Sequence, residues 1–288
     1  MEIRILKYFL MAAREENITK AASLLHITQP TLSRQLMQLE EELGVTLFTR
    51  SNHRIILTDD GMLLKRRAQE LVSLAEKTKM EFLHDENTLA GEIAIGCGET
   101  RSMNRLAELM ADFRSRYPLV RFEIHSGNVD NIKERMERGL LDLGLFVEPV
   151  DVGKYEFLRM PVKETWGILV REDSHLAELD VVRAEDLVRM PLLAASREMV
   201  QNELANWFGD YACQMEIAVT YNLVYNASVM VKKGIGAALC LELDSSYDGV
   251  KFVPLSPQLK LGSVLAWKRN QMFSASTSAF IRYARSSL

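Results

Sequence analysis

The sequence predicts a chain in three parts: a small helical unit closed by a two-stranded β-wing, one long helix, and an α/β unit of two lobes. Three observations predict it. Apolar residues step by three and four through the first 43 positions, then give way to a short strand-like pair before Thr58. From Asp59 to about Asn87 there is no proline, and Gly61 is the one glycine. Beyond Leu89-Ala90-Gly91-Glu92, strand-like and helix-like segments alternate to the C-terminus. The expected boundaries are 1–58, 59–90 and 91–288, with a first lobe of 91–162 and 265–288 and a second lobe of 163–264.

At 288 residues the chain can bury two or three cores. Its 48% apolar and 26% charged composition is that of an ordinary globular protein, and no apolar run is long enough to span a bilayer. The N-terminal stretch carries Glu2, Arg4, Lys7 and Arg14 and lacks a small-residue cleavage pattern, so a cytoplasmic protein with no membrane partner is expected. Three scattered cysteines, Cys97, Cys213 and Cys240, argue against a disulfide framework or a thiolate metal site. The formal charge is −4, and residues 1–90 hold 12 Lys and Arg against 13 Asp and Glu, so bulk basicity does not mark a nucleic-acid binder. Position is more informative than the total. Arg34, Arg50 and Arg54 fall together on one helix and the wing, whereas Glu40, Glu41 and Glu42 end that helix.

The first helix has an apolar face of Leu6, Phe9, Leu10 and Ala13. Asn17 or Thr19 can cap the second, whose Ala21 and Ala22 permit a close crossing. His26-Ile27-Thr28 makes a turn, Thr28 caps the third helix, and Pro30 sits in its first turn, where a missing N–H is harmless. Leu32, Leu36, Leu39 and Leu43 form the buried stripe, and Gly44 stops the helix. Gln29, Thr31, Ser33, Arg34, Gln35 and Gln38 are left on the open faces. These types suit a DNA groove: Gln pairs with adenine, Arg with guanine, and Ser or Thr takes a phosphate. The wing follows, with Leu47-Phe48 and Ile55-Ile56-Leu57 flanking the basic turn Arg50-Ser51-Asn52-His53-Arg54, and Thr58 caps the next helix.

That next helix, of roughly 28 residues and about 40 Å, carries a seam of Leu64, Ala68, Leu71, Leu74, Ala75 and Phe82. A helix this long is expected to pair two copies of the chain, and a two-fold pair of reading heads implies an inverted-repeat site on double-stranded DNA.

In the last part, strands at Glu92–Gly96, Arg121–His125 and Leu141–Phe146 alternate with helices at Met103–Arg116 and Asn131–Arg138. A second cycle runs through Thr165–Val170, Leu192–Ala195, Val200–Phe208, Ile217–Val219, Ser228–Lys233 and Ala237–Cys240. Ser263–Trp267 and a final helix, Ser276–Arg285, return to the first lobe. The order implies mostly parallel sheets with helices on both faces, and a ligand beyond the C-terminal strand ends, between the lobes. Glu99, Thr100, Arg101 and Ser102 follow the first strand, Ser126, Gly127 and Asn128 the second, and Ser196 and Arg197 a strand of the second lobe. These positions, with Phe146 at the end of the third strand, are the expected contacts of a small, anionic effector at helix N-termini. No other cofactor and no metal is expected.

The segment AASLLHITQPTLSRQLMQLEEELGVTLFTR, followed by LTDDG, resembles the N-terminal domain of the LysR-type transcriptional regulators. The Ala21-Ala22 pair, the Q-P-x-x-S-R-Q run, L-E-x-x-L-G, L-F-x-R and L-T-x-x-G all stand at that family's separations. The resemblance implies a winged helix-turn-helix in which Gln29, Pro30, Ser33 and Arg34 face DNA, while Arg50, Arg54 and Thr58 hold backbone at the wing. Thr28, Thr31 and Gln38 complete the expected reading surface. It also implies a dimerising linker helix, tetramers built as pairs of dimers, RNA polymerase as a further partner, and an effector domain similar to periplasmic solute-binding proteins. VKKGIGAALC resembles a segment of that domain, with Leu241 where the family usually has proline.

Competing readings have less support. Gly96-Cys97-Gly98 is an incomplete nucleophile turn, because residue 99 is Glu, and the five histidines show no ligand spacing, so no catalytic residue is expected. A thiol-based redox regulator would need a cysteine pair, and Cys213 has no neighbour in sequence to supply one. A pure solute-binding module would leave the first 87 residues without a task.

Overall fold

Three helices open the structure: α1 (Ile3–Glu15), α2 (Ile18–Leu24) and α3 (Gln29–Leu43). The computed structural model describes residues 1–51, 54–81 and 89–288, which fall into two units, Met1–His84 and Asp85–Leu288. In the first unit, α1 buries Leu6, Phe9 and Ala12, α2 buries Ala21 and Ala22, and α3 buries Leu32, Leu36 and Leu39 in one core. Asn17 caps α2 by accepting from Lys20 N at 2.9 Å. Gly44 ends α3 at φ 69°, a left-handed cap that favours glycine. Two details depart from expectation. Leu43 shares the face of the buried leucines, but it lies in the last turn, past the core, and is 38% exposed. Thr28 occupies the cap position with its side chain turned away, Oγ1 lying 2.8 Å from Thr31 Oγ1.

The wing is the antiparallel pair β1 (Phe48–Ser51) and β2 (Arg54–Leu57), in register Phe48 to Leu57. The tip of the expected turn, Asn52-His53, lies outside the described residues. From the wing the chain enters α4 (Asp59–Glu81) through a tight corner. Thr58 Oγ1 donates to Thr46 O at 2.6 Å and accepts from Gly61 N at 3.0 Å. A Cβ on Gly61 would lie 2.2 Å from Leu47 O, so only glycine lets the helix start this close to the wing. The helix was expected to run to about Asn87; 82–88, Phe82 included, lie outside the described residues. The expected seam divides. Ala68 is fully buried, with Leu64 packed on the same core, whereas Leu71 and Leu74 are exposed at 40% and 39%.

The second unit holds two sheets. The first lobe orders β4-β3-β5-β13-β6, built from β3 (Gly91–Cys97), β4 (Val120–Ser126), β5 (Leu143–Val147), β6 (Tyr155–Arg159) and β13 (Ser263–Lys268). The second orders β11-β7-β10-β8-β9, from β7 (Glu164–Arg171), β8 (Pro191–Ala195), β9 (Glu216–Tyr221), β10 (Ala237–Leu241) and β11 (Val250–Pro254), with β12 (Lys260–Leu261) pairing onto β7. One strand on each sheet's path runs against its neighbours: β13 is antiparallel to β5 and β6, and β7 to β10 and β11. Each follows a crossing from one lobe to the other, so the mostly parallel sheets are reversed where the chain changes lobe. β13 starts at Ser263, paired with Val147, which moves Ser263 and Val264 into the first lobe.

Helices α5 (Ser102–Arg116), α6 (Val129–Glu137) and α9 (Ala275–Ser287) cover the first sheet; α7 (Glu198–Phe208) and α8 (Val224–Lys232) cover the second. Both sheets are buried on both faces, as alternation along β3 and β7 shows. Ile93 and Ile95 join one core while Ala94 joins the core opposite; Trp166, Ile168 and Val170 point one way and Leu169 the other.

Candidate functional site

The outer face of α3 carries Thr28, Gln29, Pro30, Arg34 and Gln38 exposed, with Thr31 and Ser33 half-buried beside them. Side chains one turn apart brace each other: Gln29 Nε2 donates to Ser33 Oγ at 2.8 Å and Gln35 Nε2 to Gln38 Oε1 at 3.0 Å. Arg34 has no ion pair or hydrogen bond among the described residues, so its guanidinium is presented uncompensated. At the wing, Arg54 is exposed, and among the described residues its ion-pair partner is Glu16, at 3.9 Å. Arg50 pairs with Ile55 through the backbone, and its side chain lies outside the described residues. Thr58 also holds the corner of the fold, its hydroxyl donating to Thr46 O and accepting from Gly61 N. Glu40 was missed. Its Oε1 accepts from Leu47 N at 2.7 Å and Phe48 N at 3.2 Å, tying the wing to the reading helix. Its place in L-E-x-x-L-G, one turn before the stop glycine, was the available signal.

A cavity of about 160 Å³ opens between the lobes of the second unit. Six expected residues line it: Glu99, Thr100, Gly127, Asn128, Ser196 and Arg197. Four do not. Phe146 is fully buried beneath the sheet, packed against Tyr155 with ring centroids 6.5 Å apart, because the strand alternation turns it away from Leu145 and Val147, which do line the cavity. Ser126 is the last residue of β4 and stands outside the wall. Arg101 turns to the other side, Nη1 2.9 Å from Glu242 and Nε 2.9 Å from Asp244.

Ser102 is corrected for a different reason, which concerns the anion expected at α5. That position is taken by the chain's own Glu164, a carboxylate with no exposed surface. It accepts from Arg101 N and Ser102 N at 3.1 Å each and from the hydroxyls of Thr100 and Ser102, while Ser263 Oγ lies 2.5 Å from Ser102 Oγ. The backbone donors and partial positive charge of the helix start are thus satisfied internally. The N-terminus of α8 is filled in the same way, Val224 N donating to Glu99 Oε2.

The wall also holds residues that strand-end reasoning did not supply. Glu148 lies just past the C-terminal end of β5, so the rule that found the others applies to it as well. Trp166 and Tyr221 also line the cavity. Trp166 enters from the reversed strand β7, near its N-terminal end, where the rule does not look. It is 4% exposed, and its Nε1 has no acceptor among the described residues. Burial lowers the Arg197 pKa, with Asp130 opposing. The three cysteines are free. Burial pushes the thiols of Cys97 and Cys240 up, away from the thiolate form that redox chemistry uses, and they lie in different sheets. Among the described residues no helix is long and apolar enough to cross a membrane.

Residues 3–62 match the bacterial regulatory helix-turn-helix proteins of the lysR family, and residues 86–288 match the LysR substrate binding domain. A probable RuBisCO transcriptional regulator from Cyanophora paradoxa is 30% identical over 275 residues, 93% of this chain and 80% of that protein. The Hca operon transcriptional activator HcaR of Escherichia coli (strain K12) is 26% identical, covering 94% and 93%. The fold is shared with CbnR, solved at full length in complex with its target DNA, at a TM-score of 0.78, 20% identity and full coverage of both chains. HinK, a LysR family regulator from Pseudomonas aeruginosa, is 28% identical at a TM-score of 0.58, covering 100% and 98%. With both of its units matched to that family, the chain belongs to the LysR-type transcriptional regulators, a DNA-binding helix-turn-helix joined to an effector-binding domain.

Proposed function

We propose that Gln29, Thr31, Arg34 and Gln38 read base edges, while Thr28, Pro30, Ser33, Arg50 and Arg54 fix α3 and the wing on the phosphate backbone. The observation that carries this reading is Arg34, a cation on the open face of α3 with no partner among the described residues. An uncompensated guanidinium at that place is suited to guanine O6 and N7. Arg34→Ala should weaken operator binding by about 1–3 kcal/mol at one base pair and relax preference there, read by mobility shift on an operator and its single-base variants. An equal loss on every variant would place Arg34 on phosphate and overturn the base-reading role.

Leu63, Leu71 and Leu74 are exposed along one side of α4, which supports its use in pairing two copies and hence an inverted-repeat operator. The inter-lobe cavity would take a small-molecule effector, which changes operator affinity only by binding one lobe arrangement better than another. In this reading the chain works in the cytoplasm as a dimer or a tetramer, and RNA polymerase is its downstream partner. HcaR is an operon activator by name, and CbnR was crystallised on its target DNA, which supports the same assignment here.

A further inference from the structure

Three helices, α6, α7 and α8, start at the cavity and α5 starts beside it, and their N-termini are not equivalent. At α5 the donors are taken by Glu164, and at α8 by Glu99. At α6 the cap is Asn128, whose side chain accepts from Asn131 N at 2.8 Å. Only α7 begins without a side-chain cap, and its N-cap residue is Arg197. Arg197 has no carboxylate within ion-pair distance among the described residues, and burial lowers its pKa. Trp166, 4% exposed in the same wall, holds an indole N–H without an acceptor. A half-buried cation without an acid partner at a helix start with no side-chain cap calls for an anionic group.

The rest of the wall calls for the opposite charge. Glu99 gives one oxygen to Val224 N, and its Oε1 accepts nothing from the described residues. Glu148 also lines the cavity and meets Arg159 through one oxygen, at 3.0 Å. With Glu148 held by Arg159, Glu99 is the acid left without a cation, and a simple carboxylate effector would meet Arg197 while leaving Glu99 unbalanced. Between the charges the surface is apolar, with Leu145, Val147, Val200 and Leu241.

The geometry points to a dipolar effector: a molecule with a carboxylate for Arg197, an ammonium for Glu99, and a short apolar body, as in an α-amino acid. This rests on the cavity being the effector site. The test uses the purified full-length chain and three matched series: the standard amino acids, the same carbon skeletons without the amine, and the same skeletons without the carboxylate. Calorimetric titration should find at least one amino acid bound about ten-fold tighter than either of its truncated partners. Glu99→Gln should erase its advantage over the deaminated acid, and Arg197→Ala should lose both. Deaminated acids that bind as tightly as the amino acids, and are lost in Arg197→Ala, would overturn the dipolar class and leave the cavity reading intact. No binding in any series overturns the dipolar class as well. Amino-acid binding that survives both substitutions would place the molecule outside the cavity and overturn both.

Discussion

Glu164 should be worth several kcal/mol to the second unit. It is fully buried and takes four hydrogen bonds, three on Oε1 from Thr100 Oγ1, Ser102 N and Ser102 Oγ, and one on Oε2 from Arg101 N. Glu164→Gln keeps the shape and, with its carbonyl at the Oε1 position, keeps three of those bonds. The new NH₂ then faces Arg101 N–H, a buried donor loses its acceptor, and the charge at the helix start is gone. One unsatisfied donor costs about 1–3 kcal/mol and the charge–dipole interaction up to about 2, so a net loss of about 2 kcal/mol is expected. Glu164→Ala removes the acceptor of all four donors, leaving Ser102 N with Thr100 Oγ1 at 3.3 Å and Ser102 Oγ with Ser263 Oγ at 2.5 Å, and should cost about 4 kcal/mol, as in other broken buried charge networks. At about 2–4 °C per kcal/mol for a unit of this size, calorimetry should show its transition lowered by about 4–8 °C in the Gln variant and by twice that in the Ala variant. The reading-head transition should not move. A Gln variant that melts within about 1 °C of the parent would refute the reasoning, for it would mean that the helix start does not need the charge.

Two further outcomes follow from single contacts. Glu40→Ala removes the acceptor of Leu47 N and Phe48 N, so the first unit should lose about 1–2 kcal/mol and DNA affinity should fall alike on every operator variant; a loss at one base only would contradict the bracing role. Burial, helped by the hydrogen bond to Glu137, raises the Tyr155 phenol from 10.0 to about 12. The folded state therefore holds this proton more tightly, and the associated stability is present below pH 10 and lost as pH rises through 12. Urea melts across that range should fall more steeply for the parent than for Tyr155→Phe, and parallel curves would refute the assignment.

The parts of the fold legible in the sequence are those whose period is enforced by a core. Leu32, Leu36 and Leu39 could be read off as buried because α3 packs along that one face, and the buried strands β3, β5, β7 and β10 show as apolar runs. The edge strands β6 and β11 were not legible. Tyr-Glu-Phe-Leu-Arg and Val-Lys-Phe-Val-Pro mix charge into the strand, and the second ends in a residue that cannot donate to a ladder. The site divides in the same way. Strand-end loops are found by topology alone, which brings Glu99, Asn128 and Arg197 to one cavity. What topology does not give is which way a side chain turns: Phe146 is one residue from Leu145 and faces the other side of the sheet. Nor does local sequence show that the anion for α5 comes from Glu164, 62 residues beyond Ser102.

The two acids at helix starts also join the lobes. Glu99 follows a strand of the first lobe and caps α8 of the second; Glu164 opens a strand of the second lobe and caps α5 of the first. Arg101 adds a link in the same sense, from the start of α5 to Glu242 and Asp244 beyond β10, and Asn104 Nδ2 donates to Asp244 at 2.6 Å. Lobe position is therefore set by charge-assisted bonds whose donors and acceptors lie on opposite sides of the cavity. Of these residues only Glu99 also lines the cavity beside Arg197, so a cation bound there and the α8 N-terminus draw on the same carboxylate. A ligand that strengthens or relaxes the hold of Glu99 on Val224 interacts differently with the closed and the open lobes. That difference in free energy is the sole means by which binding here can bias the arrangement of the domain.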